Sequence, residues 1–156
     1  MKRLPIIFIL SIIFFSACKQ DETCRESKEV FLRVGFFESI TNKAVSIDSL
    51  TVFALHQDGS AMDSLLYDNR KNISNVILPL NKVEQASLFV MKLNDLPQDT
   101  LSVLYENVEY FISYPCGMII THTLDTVWST HHFIKDVNMV HKNINTTNVQ
   151  HLQVLL

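Results

Sequence analysis

From Glu29 to Glu38 the residues sort with a period of two. Val30, Leu32, Val34 and Phe36 fall on one face and Phe31, Arg33, Gly35 and Phe37 on the other, which predicts a strand with one fully apolar face. Asp48–His56 is apolar on both faces and predicts an interior strand. Gln57-Asp58-Gly59-Ser60 is a turn in which Gly59 can take positive φ. Ser64–Asp68 reads as a short strand, Asn69-Arg70-Lys71-Asn72 as a turn, and Ile73–Leu80 as a strand in which Pro79 marks a sheet edge or the strand's end. Ala86–Leu93 and Thr100–Tyr105 follow as strands, separated by a turn through Pro97. Tyr110–Tyr114 and Met118–Trp128 flank a Pro115-Cys116-Gly117 corner. In the second arm Met118, Ile120, His122 and Leu124 share the apolar face and Thr121, Thr123 and Asp125 the polar one. Phe133–His141 alternates imperfectly and suggests a bulge, Asn143–Asn148 is a polar loop, and Val149–Leu156 closes the pattern with Leu152, Val154 and Leu156 on one face. Roughly eight to ten short strands at turn spacings of about 8–12 residues predict an all-β fold, an immunoglobulin-like sandwich, with a small closed barrel as the alternative. The chain holds only 3 glycines, so its tight turns must rely on Asn and Asp.

The first residues stand apart from that pattern. Lys2 and Arg3 precede an apolar run, Leu4–Phe15, too short for a membrane-spanning helix of about 20 residues. Ser16 and Ala17 lead to Cys18, as at a secretory processing site. Phe15-Ser16-Ala17-Cys18 resembles a bacterial lipobox, although Phe15 departs from the usual Leu. That resemblance implies a signal over residues 1–17 and a lipid-bearing Cys18. A tether then runs to residue 28, and a single sandwich domain occupies 29–156. Lys19-Gln20-Asp21-Glu22 also resembles the export signals of surface lipoproteins in Bacteroidota. The partner so implied is a membrane, reached through acyl chains that contribute about 0.8 kcal/mol per buried CH₂.

Processing changes the charge. Loss of Lys2 and Arg3 takes the formal net charge from −3 to about −5 and leaves no basic patch, so nucleic acid is not an expected partner. The remaining chain, about 140 residues, makes one domain with enough length to bury a core.

Beyond Cys18, two cysteines remain. An exported protein meets an oxidising compartment, where Cys24 and Cys116 are expected to pair. Closing a loop of about 90 residues would stabilise the fold by roughly 4–5 kcal/mol in the chain-entropy model. Two separate thiols are the alternative, since spacing alone does not establish disulfide geometry.

Chemistry is sparse. His131 and His132 are adjacent and His122 and His141 stand on neighbouring strands, but no spacing matches a zinc geometry, and His122 reads as a hydrogen-bonded core residue. There is no Gly-x-Ser-x-Gly elbow, and the acidic residues sit in turns and at strand starts, where they are solvated. No catalytic residue, metal ligand or cofactor is assigned, and a hydrolase is the only enzymatic alternative carried. One tripeptide recurs: Asp48-Ser49-Leu50, Asp63-Ser64-Leu65, Asp99-Thr100-Leu101 and Asp125-Thr126-Val127. It resembles the O-glycosylation sequon of exported Bacteroidota proteins, with Ser49, Ser64, Thr100 and Thr126 as candidate acceptors. The same residues also make natural strand starts.

Taken in order, Cys24, Asp48–Val52, Leu78–Leu80, Cys116-Gly117 and Leu124–Val127 resemble a family of small Bacteroidota lipoproteins classed only as a domain of unknown function. The resemblance covers nearly the whole mature chain. It implies an outer-membrane, lipid-anchored β-domain of a Gram-negative bacterium, with surface exposure as one orientation, and carries no catalytic residues. The expected function is a non-catalytic interaction or accessory module with a protein or glycan partner. A carrier for an apolar small molecule is the alternative.

Overall fold

The structure, a computed structural model, describes residues 24–94 and 96–156. The expected signal over 1–17, the lipidation candidate Cys18 and the Lys19–Glu22 stretch lie outside the described residues. The strands are β1 (Phe31–Phe37), β2 (Leu50–Leu55), β3 (Ala61–Arg70), β4 (Asn75–Pro79), β5 (Ala86–Leu93), β6 (Asp99–Ser113), β7 (Gly117–Ser129), β8 (Asp136–Met139), β9 (Asn143–Ile144) and β10 (Leu152–Leu155). No helix occurs among the described residues. Two sheets form, ordered β4-β1-β10-β8 and β3-β2-β5-β6-β7-β9, and they do not close into a barrel. The architecture is a β-sandwich.

Alternation explains the core. On β1, Leu32, Val34 and Phe36 are fully buried, joined by Val76 and Leu78 of β4 and by Leu152 and Val154 of β10. Leu50, Val52, Phe89, Met91, Leu101, Val103 and Leu124 face them from the larger sheet. Each such side chain contributes roughly 1.5–3 kcal/mol when fully buried. The smaller sheet is mixed: β1 pairs antiparallel with β4 but parallel with β10, Val34 lying opposite Leu152 and Phe36 opposite Val154. β4 is an edge strand, which Pro79 tolerates.

Turn chemistry follows the glycine shortage. Asn42, Asn69, Asn72 and Asn94 all take positive φ, alongside Gly59 and Gly117. Asn tolerates the left-handed region better than other side-chain-bearing residues. His131, also at positive φ, is the exception.

Four boundaries differ from the sequence reading, each for a physical reason. Thr100–Tyr105 and Tyr110–Tyr114 are parts of one 15-residue strand, β6. Its middle, Glu106–Glu109, keeps its ladder to β7 although the side chains there carry little burial. The bulge expected in Phe133–His141 falls instead at Asp125, where the register moves from Leu104–Thr126 to Tyr105–Leu124. Met118 is on the same face as His122 and Leu124, but the core does not extend that far and it is exposed. Finally, the strand expected over Phe133–His141 shrinks to β8, and the polar loop 143–148 contains β9, whose Ile144 is fully buried.

Candidate functional site

The two ends of the larger sheet carry the unusual features. β6 begins at Asp99, beside the β5–β6 turn and the 130–134 loop that leaves β7. It ends at Ser113, beyond every other strand but β7.

At the first end the organising group is the Asp99 carboxylate, which is fully buried. Oδ1 accepts hydrogen bonds from the Thr130 hydroxyl (2.6 Å), the His132 N–H (2.7 Å) and His132 Nδ1 (3.0 Å). Oδ2 accepts from the N–H groups of Phe133 (2.7 Å) and Ile134 (2.8 Å). The Thr130 hydroxyl in turn accepts from the Thr100 N–H at 3.0 Å. Burial pushes the Asp99 carboxyl upward, but the N–H groups of His132, Ile134 and Phe133 and the Thr130 hydroxyl outweigh it and hold it well below the usual carboxylate range. Phe133 and Ile134 are buried for this reason without belonging to a strand, since their N–H groups go to a carboxylate instead of a ladder. Thr130, His131 and His132 remain exposed on the loop so formed, near Trp128. The sequence places Asp99 among solvated strand-start acids, whereas the fold buries it. Its sequence neighbours give no sign that the loop some 30 residues later would bury it.

At the other end β5 pairs with β6 only as far as Leu104, with one further bond from the Tyr105 N–H to the Gln85 carbonyl. Past that point β6 and β7 continue as a two-stranded arm, projecting roughly 25 Å at about 3.3 Å per residue. β9 covers β7 only at His122 and Thr123. Among the described residues no strand pairs with the outer edges of Val108–Ser113 or Gly117–Thr121. An isolated ribbon of this kind is marginal in water, and two devices hold it. The structure joins Cys24 to Cys116 at its tip, the Cα atoms 4.7 Å apart and 92 residues apart in sequence, which is the pairing expected.

The second device is a clamp at its base. The Tyr105 hydroxyl donates to the Asn81 carbonyl (3.0 Å) and meets the Ser87 hydroxyl (2.7 Å). The Asn107 amide donates to the Glu84 carbonyl at 3.1 Å, and its Oδ1 lies 2.7 Å from Nδ1 of His122. His122 is therefore the neutral, Nδ1-protonated tautomer, packed edge-on to Tyr105, with its buried Nε2 unpartnered. Burial, with a smaller contribution from Lys82, lowers its pKa to about 4. His151, between the sheet strands of the opposite layer, is likewise fully buried. Its Nδ1 accepts from the Arg33 N–H at 3.0 Å, its Nε2 has no partner, and burial, then Arg33 and His141, lower it to about 4.

The remaining expected positions do not converge. Thr126 is exposed on β7. Ser49, hydrogen-bonded to Asn69, and Thr100 are half-buried. Ser64 lies in β3, and nothing is described of its side chain. Among the described residues no three His, Cys, Asp or Glu side chains gather as a metal site would require. Two of the concavities have apolar walls. A groove of about 430 Å³ lies along the arm between Val108, Tyr110 and Ile119 and the Asn143–Thr147 segment. A smaller apolar cleft of about 230 Å³ opens among Leu55, Met62, Leu66, Leu80 and Phe89.

Fold and site together define an all-β sandwich with a carboxylate-stapled loop at one end and a cross-linked, projecting ribbon at the other. The chain belongs to a family of unknown function, DUF6452, whose model matches residues 49–156. That span includes Asp99, the 130–134 loop and Cys116, whereas β1 and Cys24 precede it. The chain matches no curated protein and no solved structure.

Proposed function

We propose that the protein is a lipid-anchored envelope module of the outer membrane, held through Cys18, that binds a protein or glycan partner without catalysis. The observation that carries this reading is the loop built on Asp99. The loop is fixed by five hydrogen bonds to one buried carboxylate, three from its backbone and two from the Thr130 and His132 side chains, so Thr130, His131 and His132 are displayed in a preset arrangement. Binding residues often sit on loops positioned by a rigid scaffold, and a preset loop loses little conformational entropy on binding. The non-catalytic part is supported by how the titratable groups are used. Asp99 is occupied by the loop, and His122 and His151 are buried and neutral. The net charge of −3 argues against nucleic acid.

Cell fractionation of the full chain beside a Cys18→Ala variant tests the anchor. The original should sediment with membranes and the variant should appear in the soluble fraction; identical behaviour of the two would remove the lipid. A photo-crosslinking residue at His132 should capture a partner that the same residue at Val83, exposed in another loop, does not. Equal capture at both positions would remove the loop as the binding surface. The carrier reading keeps one specific support, the apolar cleft beside Phe89, although at about 230 Å³ it falls short of the usual ligand pocket of roughly 300–1,000 Å³. Binding of an environment-sensitive apolar dye, lost in a Leu66→Trp variant that fills the cleft, would favour the carrier instead.

A further inference from the structure

The arm tip has a composition unlike the rest of the surface. From Tyr110 to Leu124 the sequence contains no Asp, Glu, Lys or Arg, in a chain where such residues make up 19%. Its apex side chains are nonetheless open: Tyr114 is 97% exposed, and Tyr110, Phe111 and Met118 are each about half exposed. Phe111 and Met118 are direct cross-strand partners, so they share one face, and the Phe111 ring meets Tyr114 edge-on at 5.6 Å. The other strongly exposed aliphatic residues, Ile40 and Val83, stand in separate loops. Contiguous exposed apolar surface marks a contact site, whereas scattered single residues need no explanation.

The position of this patch says what would cover it. Cys116 at the apex is bonded to Cys24, so the chain leaves the described domain at the arm tip. Cys18 is six residues before Cys24. Six residues span at most about 20 Å when fully extended. A lipid on Cys18 therefore keeps the apex within about 20 Å of a bilayer surface, while the Asp99 end lies roughly 45 Å from the apex along β6. Tyr, Phe and Met with no formal charge are also the side chains that a headgroup region accepts, apolar rings inward and the phenol oxygen in the wet layer.

We propose that the apex of the β6–β7 arm is a membrane contact, Tyr114, Phe111 and Met118 seating in the interfacial layer of the bilayer that carries the anchor and the sandwich standing outward from it. The inference rests on the Cys18 anchor for the nearness of the bilayer, and on the exposed, uncharged side chains of the β6–β7 turn for the contact itself, beside which the Cys24 bond also brings Arg25 and Glu26. It makes the anchor an oriented mount, with the Asp99 loop presented at the far end.

Trp128 is the only tryptophan, so a Trp128→Phe background gives a silent chain in which to place a reporter. The full, processed chain carrying Tyr114→Trp or, as the remote control, Leu96→Trp is purified in detergent. It is then reconstituted into phosphatidylethanolamine–phosphatidylglycerol vesicles containing a lipid with a shallow nitroxide. Circular dichroism verifies that each variant folds. Tyr114→Trp emission is expected to shift to the blue and to lose roughly half or more of its intensity to the nitroxide lipid, as for an interfacial aromatic, while Leu96→Trp is unaffected. Unchanged emission at position 114 on protein that floats with the vesicles overturns the apex contact and leaves the anchor standing. Equal quenching at 114 and 96 overturns it too, because the molecule would then lie flat. A blue shift that appears without lipid and grows with protein concentration assigns the apex to another copy of the chain and also overturns it. Should the protein fail to float at all, the anchor falls. The same vesicles titrated onto the Tyr114→Trp protein then decide the apex directly, since a lipid-dependent shift upholds the contact and its absence removes it.

Discussion

The two ends of β6 solve the same problem by opposite means. Both must hold backbone that has left the two-sheet core. At the Asp99 end, one buried carboxylate takes three main-chain N–H groups, a hydroxyl and an imidazole, so a whole loop depends on two oxygen atoms. At the Cys116 end the backbone keeps its own ladder and is secured at its extremes, by a covalent link at the tip and the Tyr105–Asn107–His122 clamp at the base. The first solution concentrates the energy and makes the loop stiff. The second distributes it and, among the described residues, leaves Val108–Ser113 and Gly117–Thr121 unpaired along their outer edges. The first should therefore fail all at once on a single substitution, and the second should loosen in stages.

Removal of the carboxylate tests the concentrated end. Asp99→Ala leaves buried N–H groups of Phe133 and Ile134 without an acceptor and should cost about 4 kcal/mol in urea unfolding. Hydrogen exchange should rise first in residues 130–135 while the arm is unaffected; a loss below about 1 kcal/mol would show that water or a neighbour replaces the carboxylate. Next in size is the covalent tie. Cys116→Ser, or reduction, should lower stability by about 3 kcal/mol. The exchange it releases should lie in residues 106–121 and spare the Asp99 loop. Uniform release across the sandwich would mean that the arm is not a separate unit.

Acid separates the ends by pH. His122 and His151 have folded pKa values of about 4 against an ordinary 6.5, so the unfolded chain binds the extra protons in that interval. Their contribution is complete above about pH 6.5 and is lost as the pH falls toward 4, roughly 2–3 kcal/mol for each histidine. The sign is reversed in origin but not in direction for Asp99, whose pKa is depressed from 3.8. Its contribution is kept above that value and erodes only below it. Urea midpoints should thus decline between pH 6.5 and 4 through His122 at the arm base and His151 in the smaller sheet, and the Asp99 loop should yield only in stronger acid. A midpoint flat across the first interval breaks the histidine argument. The smallest effect is the most pointed: Tyr114→Ser should alter stability by less than about 0.5 kcal/mol, since the side chain touches little of the fold. A larger loss would show that Tyr114 supports the arm and is not reserved for a contact.

How much of this was legible depended on whether the signal was local. β1 could be read because its burial follows a period of two within a few residues, as at Leu32, Val34 and Phe36, and β2 and β5 because each is a short, continuous apolar run. The Asn-rich turns followed from a shortage of glycine, and Asn42, Asn69, Asn72 and Asn94 bear it out. The pairing of Cys24 with Cys116 followed from counting cysteines. What could not be read was non-local. Nothing around Asp99 distinguishes it from Asp48 or Asp125 in the same recurring tripeptide, because its donors come from the loop after β7. The continuity of β6 was hidden for a related reason. Alternation reports a core on one side, and Glu106–Phe111 has passed beyond the core while keeping its strand pairing.

The parallel pairing of β1 with β10 carries a consequence for the order of events in assembly. The middle of the smaller sheet joins the first strand of the domain to the last, Val34 to Leu152, and β8 attaches only through β10. That sheet is cut in two until the final strand arrives, whereas β5, β6 and β7 can pair in sequence as they appear. The larger sheet should therefore form early and wait, its apolar face uncovered, and closing the loop between the most distant strands should set the pace of folding. That pause is an interval in which the thiols of Cys24 and Cys116 are still accessible and the apolar face of the larger sheet is open to association.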